Sequence, residues 1–316
     1  MSTKITIIGA GSVGSAITND ILVQGIASEV VMIDINKEKA MGEALDIYQG
    51  APFCAPAIIR SGDYEDAAGS QIVIITSGVP RKPGQTRLEL AQTNVNILKE
   101  ITPQIVKYAP DAIYILVSNP VDILTYVFTK ISGIPENRIL GSGTVLDTSR
   151  LQSELAKRFH ISPKNVHAHV YGEHGDSSFI PWSLATIANN KIDDYRNNVA
   201  DPSRIRWSKD DHQAVEDFVK QSGAQVIKSK GATFYAVAIS VCHICKCILN
   251  GSGTALTVST MMHGEYGVDD VCLSTLALVG SNGVHTKITS PLTAEETEKM
   301  RSSAQKLRQI IDSLDI

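Results

Sequence analysis

The chain has 316 residues, 43% of them hydrophobic, 20% charged and only 5% aromatic, which suits two packed units of ordinary domain size and excludes a disordered chain or a small disulfide-stapled scaffold. A net charge of -4 argues against a general affinity for nucleic acid, and no apolar run approaches the ~20 residues that span a bilayer, so neither nucleic acid nor a membrane is an expected partner. Five cysteines, Cys54, Cys242, Cys245, Cys247 and Cys272, form no disulfide framework; with a strand-like start, Lys4-Ile-Thr-Ile-Ile8, in place of a signal peptide, they point to a cytoplasmic protein.

The first part of the chain alternates short apolar runs with amphipathic stretches, the pattern of a parallel sheet covered by helices. Strands are expected at Ile5-Ile8, Val30-Ile33, Ala57-Arg60, Ile72-Ile75, Ile113-Val117 and Arg138-Leu140, with helices at Ser15-Gln24, Lys37-Tyr48, Leu88-Tyr108 and Val121-Ile131. Beyond Gly141 the alternation loosens. A helix is expected over Asp147-Phe159, an alternating segment at Val166-Val170, helices near Lys209-Lys228 and Ala232-Leu249, strands at Ala255-Met262 and Ser274-Val279, and a closing helix Ala294-Leu314 capped by Thr293. The fold class is α/β: a Rossmann-type doubly wound parallel sheet over residues 1–141, then an α+β catalytic domain over 142–316. Cys242-His-Ile-Cys-Lys-Cys247 could be a metal or redox clip, but the stretch from Gly231 to Leu249 reads better as one helix with Cys242 and Cys245 on its apolar side.

Gly9-Ala-Gly11-Ser-Val-Gly14 follows directly on the first strand and opens the first helix. In that context Gly9 permits the tight turn, Gly11 admits a pyrophosphate to the backbone, and Gly14 lets helix and strand pack closely. Asp34 ends the next strand at about 20 residues beyond, where a carboxylate accepts hydrogen bonds from ribose hydroxyls and repels a 2′-phosphate. The expected cofactor is therefore NAD.

Val170-Tyr-Gly-Glu-His-Gly-Asp176 puts His174 between glycines at the end of a strand, as an acid/base for a hydroxyl proton. Asp147, in Thr144-Val-Leu-Asp-Thr-Ser-Arg150, is the carboxylate expected to fix its tautomer, and Arg150 can clamp a substrate carboxylate through two parallel hydrogen bonds. A metal reading of His167, His169 and His174 is the weaker alternative, since no matching cysteine or carboxylate set accompanies them. The stretch Thr76 to Arg87, with two prolines, two glycines and three positive charges, resembles a mobile lid whose closure brings Arg87 to polarise a carbonyl. Asn119 sits at a strand's carboxyl end, where ligands of doubly wound sheets bind.

Gly9-Ala-Gly11-Ser-Val-Gly14, Arg81-Lys-Pro-Gly-Gln-Thr-Arg87, Ser118-Asn-Pro120, Leu146-Asp-Thr-Ser-Arg150 and Gly172-Glu-His-Gly-Asp176, in this order, resemble the lactate/malate dehydrogenase family over essentially the whole chain. The short stretch before Lys4 resembles the bacterial members, and the likeness is greatest to bacterial L-lactate dehydrogenases. The resemblance implies His174 with Asp147 as proton relay, Arg87 as polariser, Arg150 as carboxylate anchor and Asn119 as a substrate contact. It further implies Val13, Tyr64, Gly78, Val117 and Asn119 beside the glycines and Asp34 at the cofactor, and a homotetramer or a dimer-tetramer equilibrium.

Two positions depart from the lactate pattern. Arg81 stands where lactate enzymes generally carry glutamine and malate enzymes arginine; a guanidinium there would pair with the distal carboxylate of oxaloacetate, whereas the methyl of pyruvate would leave it unpaired. Against this, the stretches Gly141 to Arg150 and Gly172 to Ser177 and the pocket residue Thr233 resemble lactate enzymes. A residue on a lid can swing to solvent while the scaffold sets the rest of the pocket, so the expected substrates are L-lactate and pyruvate, with real activity on oxaloacetate and malate dehydrogenase as the alternative. The second departure is Gln152, where bacterial enzymes activated by fructose 1,6-bisphosphate usually carry arginine, working with a histidine that here is His167; one phosphate ligand is lost, which argues against that activation. Two other classes share such a cofactor fold, metal-dependent NAD glycosidases and NAD-binding redox sensors, and the arginine-histidine-aspartate set argues against both.

Overall fold

A computed structural model describes residues 3–80, 84, 86–203 and 205–316; Arg81 and Lys82 of the expected lid lie outside them. The first part is built of β1 (Lys4–Ile8), α1 (Ser12–Val23), β2 (Glu29–Ile33), α2 (Lys37–Tyr48), β3 (Ile58–Ser61), β4 (Ile72–Ile75), α3 (Arg87–Tyr108), β5 (Ile113–Leu116), α4 (Val121–Ile131) and β6 (Ile139–Gly141). These strands pair in parallel in the order β3-β2-β1-β4-β5-β6, the doubly wound arrangement. The chain leaves β1 toward one edge and returns at β4 toward the other. That reversal opens a crevice above the carboxyl ends of β1 and β4, and Thr76 closes its base by donating its backbone N–H to the Ile8 carbonyl (2.8 Å) and its hydroxyl to the Gly9 carbonyl (2.9 Å).

Strands buried on both faces read as unbroken apolar runs, and their period of two sorts them between two cores. Ile72, Ile74, Ile113 and Ile115 face one side, with α1 and α2; Val73, Ile75, Tyr114 and Leu116 face the other, with α3 and α4.

The rest of the chain adds α5 (Val145–Phe159), three two-residue strands β7 (Val166–His167), β8 (Thr186–Ile187) and β9 (Asn190–Lys191), α6 (Asp211–Lys230), α7 (Tyr235–Leu249), β10 (Thr254–His263), β11 (Asp269–Gly280), β12 (Gly283–Lys287) and α8 (Ala294–Ile311). The long strands expected near 255–262 and 274–279 form, and they belong to the same sheet as the first six. β10 pairs antiparallel with β6 through Ser259 and Gly141, so β10, β11 and β12 extend the first sheet to nine strands. A Cβ on Gly141 would stand 2.4 Å from Thr125 Oγ1 and 3.0 Å from Ser259 Cβ, so this junction needs a residue with no side chain. β12 escapes sequence reading because it is a short, polar edge strand, Gly-Val-His-Thr-Lys.

Two local expectations are corrected, one helical and one extended. The stretch from Gly231 to Leu249 is not one helix: Gly231, at φ 85°, terminates α6, and α7 begins only at Tyr235. Cys242, Cys245 and Cys247 are all buried on α7, and Cys242 Sγ lies 3.8 Å from the Ile17 carbonyl of α1. Only Val166 and His167 of the alternating segment pair as a strand; the chain beyond makes single bridges, Tyr171 with Phe179 and Gly172 with Ser274, which bring the glycine-rich loop around His174 over the large sheet.

Candidate active site

The glycine-rich turn has the local chemistry that its sequence implies. Gly9 holds φ 109°, and a Cβ on Gly14 would lie 1.9 Å from the Gly9 carbonyl oxygen, so helix α1 can start this close to β1 only with glycine at both points. Gly11, at the N-cap of α1, has nothing within 4 Å of where its Cβ would be. The first amides of α1 therefore face open space, as a pyrophosphate requires. Asp34 closes β2 beside this turn: its carboxylate accepts the Ala10 N–H at 2.6 Å and the Asn36 N–H at 2.9 Å, which holds it at the rim. A cleft of about 530 Å³ runs from Gly11, Val13 and Gly14 past Gly78 and Val117 to Asn119 and Thr233. An open helix N-terminus, a rim carboxylate and an apolar floor together fit a dinucleotide. Tyr64 does not line this cleft; its ring packs on the core of the sheet, and burial, with the nearby charge of Asp34, pushes its phenol pKa up.

The cleft runs on into a second cavity of about 340 Å³, and Val13, Val117, Asn119, Ile227 and Thr233 line both. Asp147, Arg150 and His174 line the second one. His174 Nδ1 lies 2.5 Å from Asp147 Oδ2, and Arg150 Nη1 donates to the other oxygen, Asp147 Oδ1, at 2.8 Å. Both partners share α5, because residues three apart lie on one helix face. The His174 side chain is 26% exposed, and its Nε2 has no protein partner among the described residues. The Asp147 charge pushes the imidazole pKa up to about 9, against burial, which favours the neutral ring. Burial alone would push the Asp147 carboxyl up, yet the charges and hydrogen bonds of His174 and Arg150 hold it below its ordinary value.

The loop carrying His174 is pinned from several sides. Gly172 exchanges backbone hydrogen bonds with Ser274 of β11 (3.0 and 3.1 Å), and the Ser274 hydroxyl accepts the Thr144 N–H at the start of α5 (3.1 Å). The His174 N–H donates to Asp122 Oδ2 at 2.7 Å, and Ser259 Oγ donates to Asp122 Oδ1 at 2.6 Å. Asp122 is missing from the sequence reading. Its one signal is a lone carboxylate in a helix segment, Val121 to Phe128, that is buried throughout.

Arg87 opens α3 behind the N-cap Thr86 and forms an ion pair with Asp176, which itself lines the His174 cavity. Its side chain is 59% exposed, so it stands at the mouth of the site rather than inside. Asn119 is held from behind, its backbone carbonyl accepting Asn94 Nδ2 at 2.7 Å. Gln152 spends its amide on the Ala168 carbonyl (3.3 Å). His167 and His169 line a different cavity, with Tyr171, Leu276 and Ser290, so the three histidines weighed as a metal set do not assemble.

The family description "lactate/malate dehydrogenase, NAD binding domain" matches residues 3–141, and "lactate/malate dehydrogenase, alpha/beta C-terminal domain" matches residues 144–315. The chain is 46% identical to L-lactate dehydrogenase 1 of Clostridium acetobutylicum, covering 99% of each chain, and 46% identical to an L-lactate dehydrogenase of Clostridium botulinum, covering 99% of this chain and 97% of that one. Among solved structures it resembles a minor L-lactate dehydrogenase from Enterococcus mundtii in its ligand-bound form, with a TM-score of 0.94 and 38% identity over 100% of this chain and 99% of the other. It is equally close in shape to a lactate dehydrogenase from a Medee basin deep-sea metagenome library, at a TM-score of 0.94 and 35% identity over 99% of each chain. With two adjoining family matches and full-length relatives at this identity, the chain belongs to the lactate/malate dehydrogenase family and is an NAD-dependent oxidoreductase of that type.

Proposed function

We propose that the protein interconverts L-lactate and pyruvate with NAD, and that His174, Asp147 and Arg150 carry the chemistry of the substrate. The observation that supports this best is the hydrogen-bonded series His174–Asp147–Arg150 in a cavity continuous with the dinucleotide cleft. NAD, held along the cleft by the glycine turn and Asp34, would supply the hydride chemistry at the substrate's second carbon. His174 holds a proton on Nε2 and gives it to the oxygen of the 2-oxo acid, or takes it back from the hydroxyl; Asp147 occupies Nδ1 and so keeps Nε2 turned to the cavity. Arg150 uses one arm on Asp147 and has the rest of its planar fork for the substrate carboxylate. Asn119 and Thr233, lining both cavities, bound the substrate, and Arg87 swings from Asp176 to the carbonyl when the lid closes. His174→Asn tests the assignment: NADH binding is retained and turnover is lost, and native turnover in this variant refutes it.

Malate dehydrogenation is the second reading, favoured by the residue at position 81. Further expectations complete the proposal. The cofactor-binding unit ends at 141 and the substrate unit starts at 142, within a cytoplasmic protein. Exposed apolar side chains on and beside α2 (Met41, Leu45, Tyr48, and Phe53 at 92% exposure) and on α7 (Tyr235, Ile239) support burial between copies in a homo-oligomer, a tetramer or a dimer-tetramer equilibrium. With Gln152 committed to the Ala168 carbonyl, fructose 1,6-bisphosphate does not lower the half-saturating pyruvate concentration.

A further inference from the structure

Behind His174 stands a second carboxylate that the assignment above does not use. Asp122, only 2% exposed, lies in the first turn of α4, just after the turn that carries Asn119. Both its oxygens accept hydrogen bonds: Oδ2 from the backbone N–H of His174 (2.7 Å), Oδ1 from Ser259 Oγ on β10 (2.6 Å). One side chain therefore joins the loop of the acid/base histidine, the strand that fuses the two parts of the chain, and the turn of a substrate contact. A carboxylate is costly here. Burial pushes its pKa up to about 6, so near neutral pH and above it still carries charge, close enough to His174 to act on the ring. The other groups bearing on the pair are Glu173 on the same loop, the Cys272 thiol on β11, and Asp147 and Arg150 on α5.

We propose that Asp122 is a positioning residue for the reaction: it brackets the His174 backbone against α4 and β10, and its negative charge, added to that of Asp147, keeps the imidazole protonated for delivery to the substrate oxygen. The proposal rests on the reading of His174 as the acid/base. Two substitutions separate the bracket from the charge. In Asp122→Asn the amide oxygen can still accept the His174 N–H while its NH2 donates to Ser259, whose hydroxyl can turn and accept, so both contacts remain and the charge goes. In Asp122→Ala both go.

The test is kcat/KM for pyruvate reduction by the full-length protein across pH, with NADH binding by fluorescence as the check on folding. Reduction needs protonated His174, so its rate falls as pH rises through the pKa of that ring. Asp122→Asn moves this alkaline limb to lower pH by about 0.5 unit or more. Asp122→Ala shows the same shift and, at pH 6.5 where the ring is protonated, a further loss in kcat of about 10-fold or more, because the ring is no longer held in place. A native limb in Asp122→Asn overturns the charge role, and equal kcat in the Asn and Ala variants overturns the bracket. Where Asp122→Ala does not fold, Ser259→Ala removes one anchor of the bracket and lowers kcat severalfold; unchanged kcat in it overturns the bracket equally. His174→Asn runs alongside. Native turnover there removes the underlying assignment, whereas an inactive His174→Asn with an unshifted Asp122→Asn limb removes this proposal alone.

Discussion

Replacing Asp147 with asparagine strikes the contact that sets the chemistry of the site. The imidazole of His174 titrates near 9 instead of its ordinary 6.5, a gap of about 2.5 units, worth on the order of 3 kcal/mol in favour of the protonated ring. The Asp147 charge is the first cause; burial opposes it, and so does the like charge of Arg150. In Asp147→Asn those two opposing influences remain, and with the main support gone only the weaker support of the Asp122 charge is left, so the ring titrates at about 7 or below. For pyruvate reduction the alkaline limb of kcat/KM then moves from about 9 to about 7. At pH 8 the protonated fraction falls from about nine-tenths to about one-tenth, a tenfold loss before orientation is considered, and misorientation of the ring adds ~100-fold or more. Because the two groups titrate as a pair, the limb reports the pair rather than either residue alone. Steady-state NADH oxidation between pH 6 and 10 measures it directly. A variant whose limb stays near 9 would falsify the claim that Asp147 holds the proton on His174.

Two further predictions follow from the same geometry. Arg150→Lys keeps the charge but loses the planar fork that holds Asp147 and, in the proposed role, the substrate carboxylate; kcat/KM for pyruvate drops ~100-fold or more, and a loss under about threefold contradicts the clamp. The raised pKa of His174 also belongs to folding: the pair stabilises the native state in full below about pH 6.5 and the benefit disappears as pH rises through about 9, a decline of at most roughly 3 kcal/mol. The lowered carboxyl of Asp147 is the same interaction seen from its partner and adds nothing more in this window, and Asp122, at about 6, is largely ionised across it. Urea unfolding of the cofactor-free protein at pH 6.5 and 9 therefore shows a fall that His174→Asn lacks; equal falls in both would sink the linkage.

What the sequence made legible has a physical pattern. Gly9, Gly11, Gly14 and Asp34 are readable because a turn, a helix start and a strand end impose them at set distances along one continuous stretch. His174, Asp147 and Arg150 are readable as chemistry, and the cavity brings them together, but the sequence could not tell that Asp147 divides its two oxygens between His174 and Arg150. Partnerships across long separations were closed to it: Arg87 with Asp176, Asp122 with the His174 backbone, Ser259 with Gly141. Which strand β10 takes as its neighbour is hidden for the same reason. β10 carries an apolar pattern suited to any buried strand, and only the bare backbone at Gly141 gives it β6 as a neighbour. Helix α7 was read too long because Gly231, which terminates α6, leaves a short turn that an apolar period alone does not mark.

The central claim, that this is an L-lactate dehydrogenase, is tested most directly by kcat/KM for NADH oxidation with pyruvate and with oxaloacetate in parallel, each repeated in Arg81→Gln. The account predicts that pyruvate is the better substrate of the native protein, with oxaloacetate measurable and weakened by the substitution. Oxaloacetate preferred by ~100-fold or more, with Arg81→Gln reversing the order, would contradict it and make the protein a malate dehydrogenase whose specificity resides in residue 81.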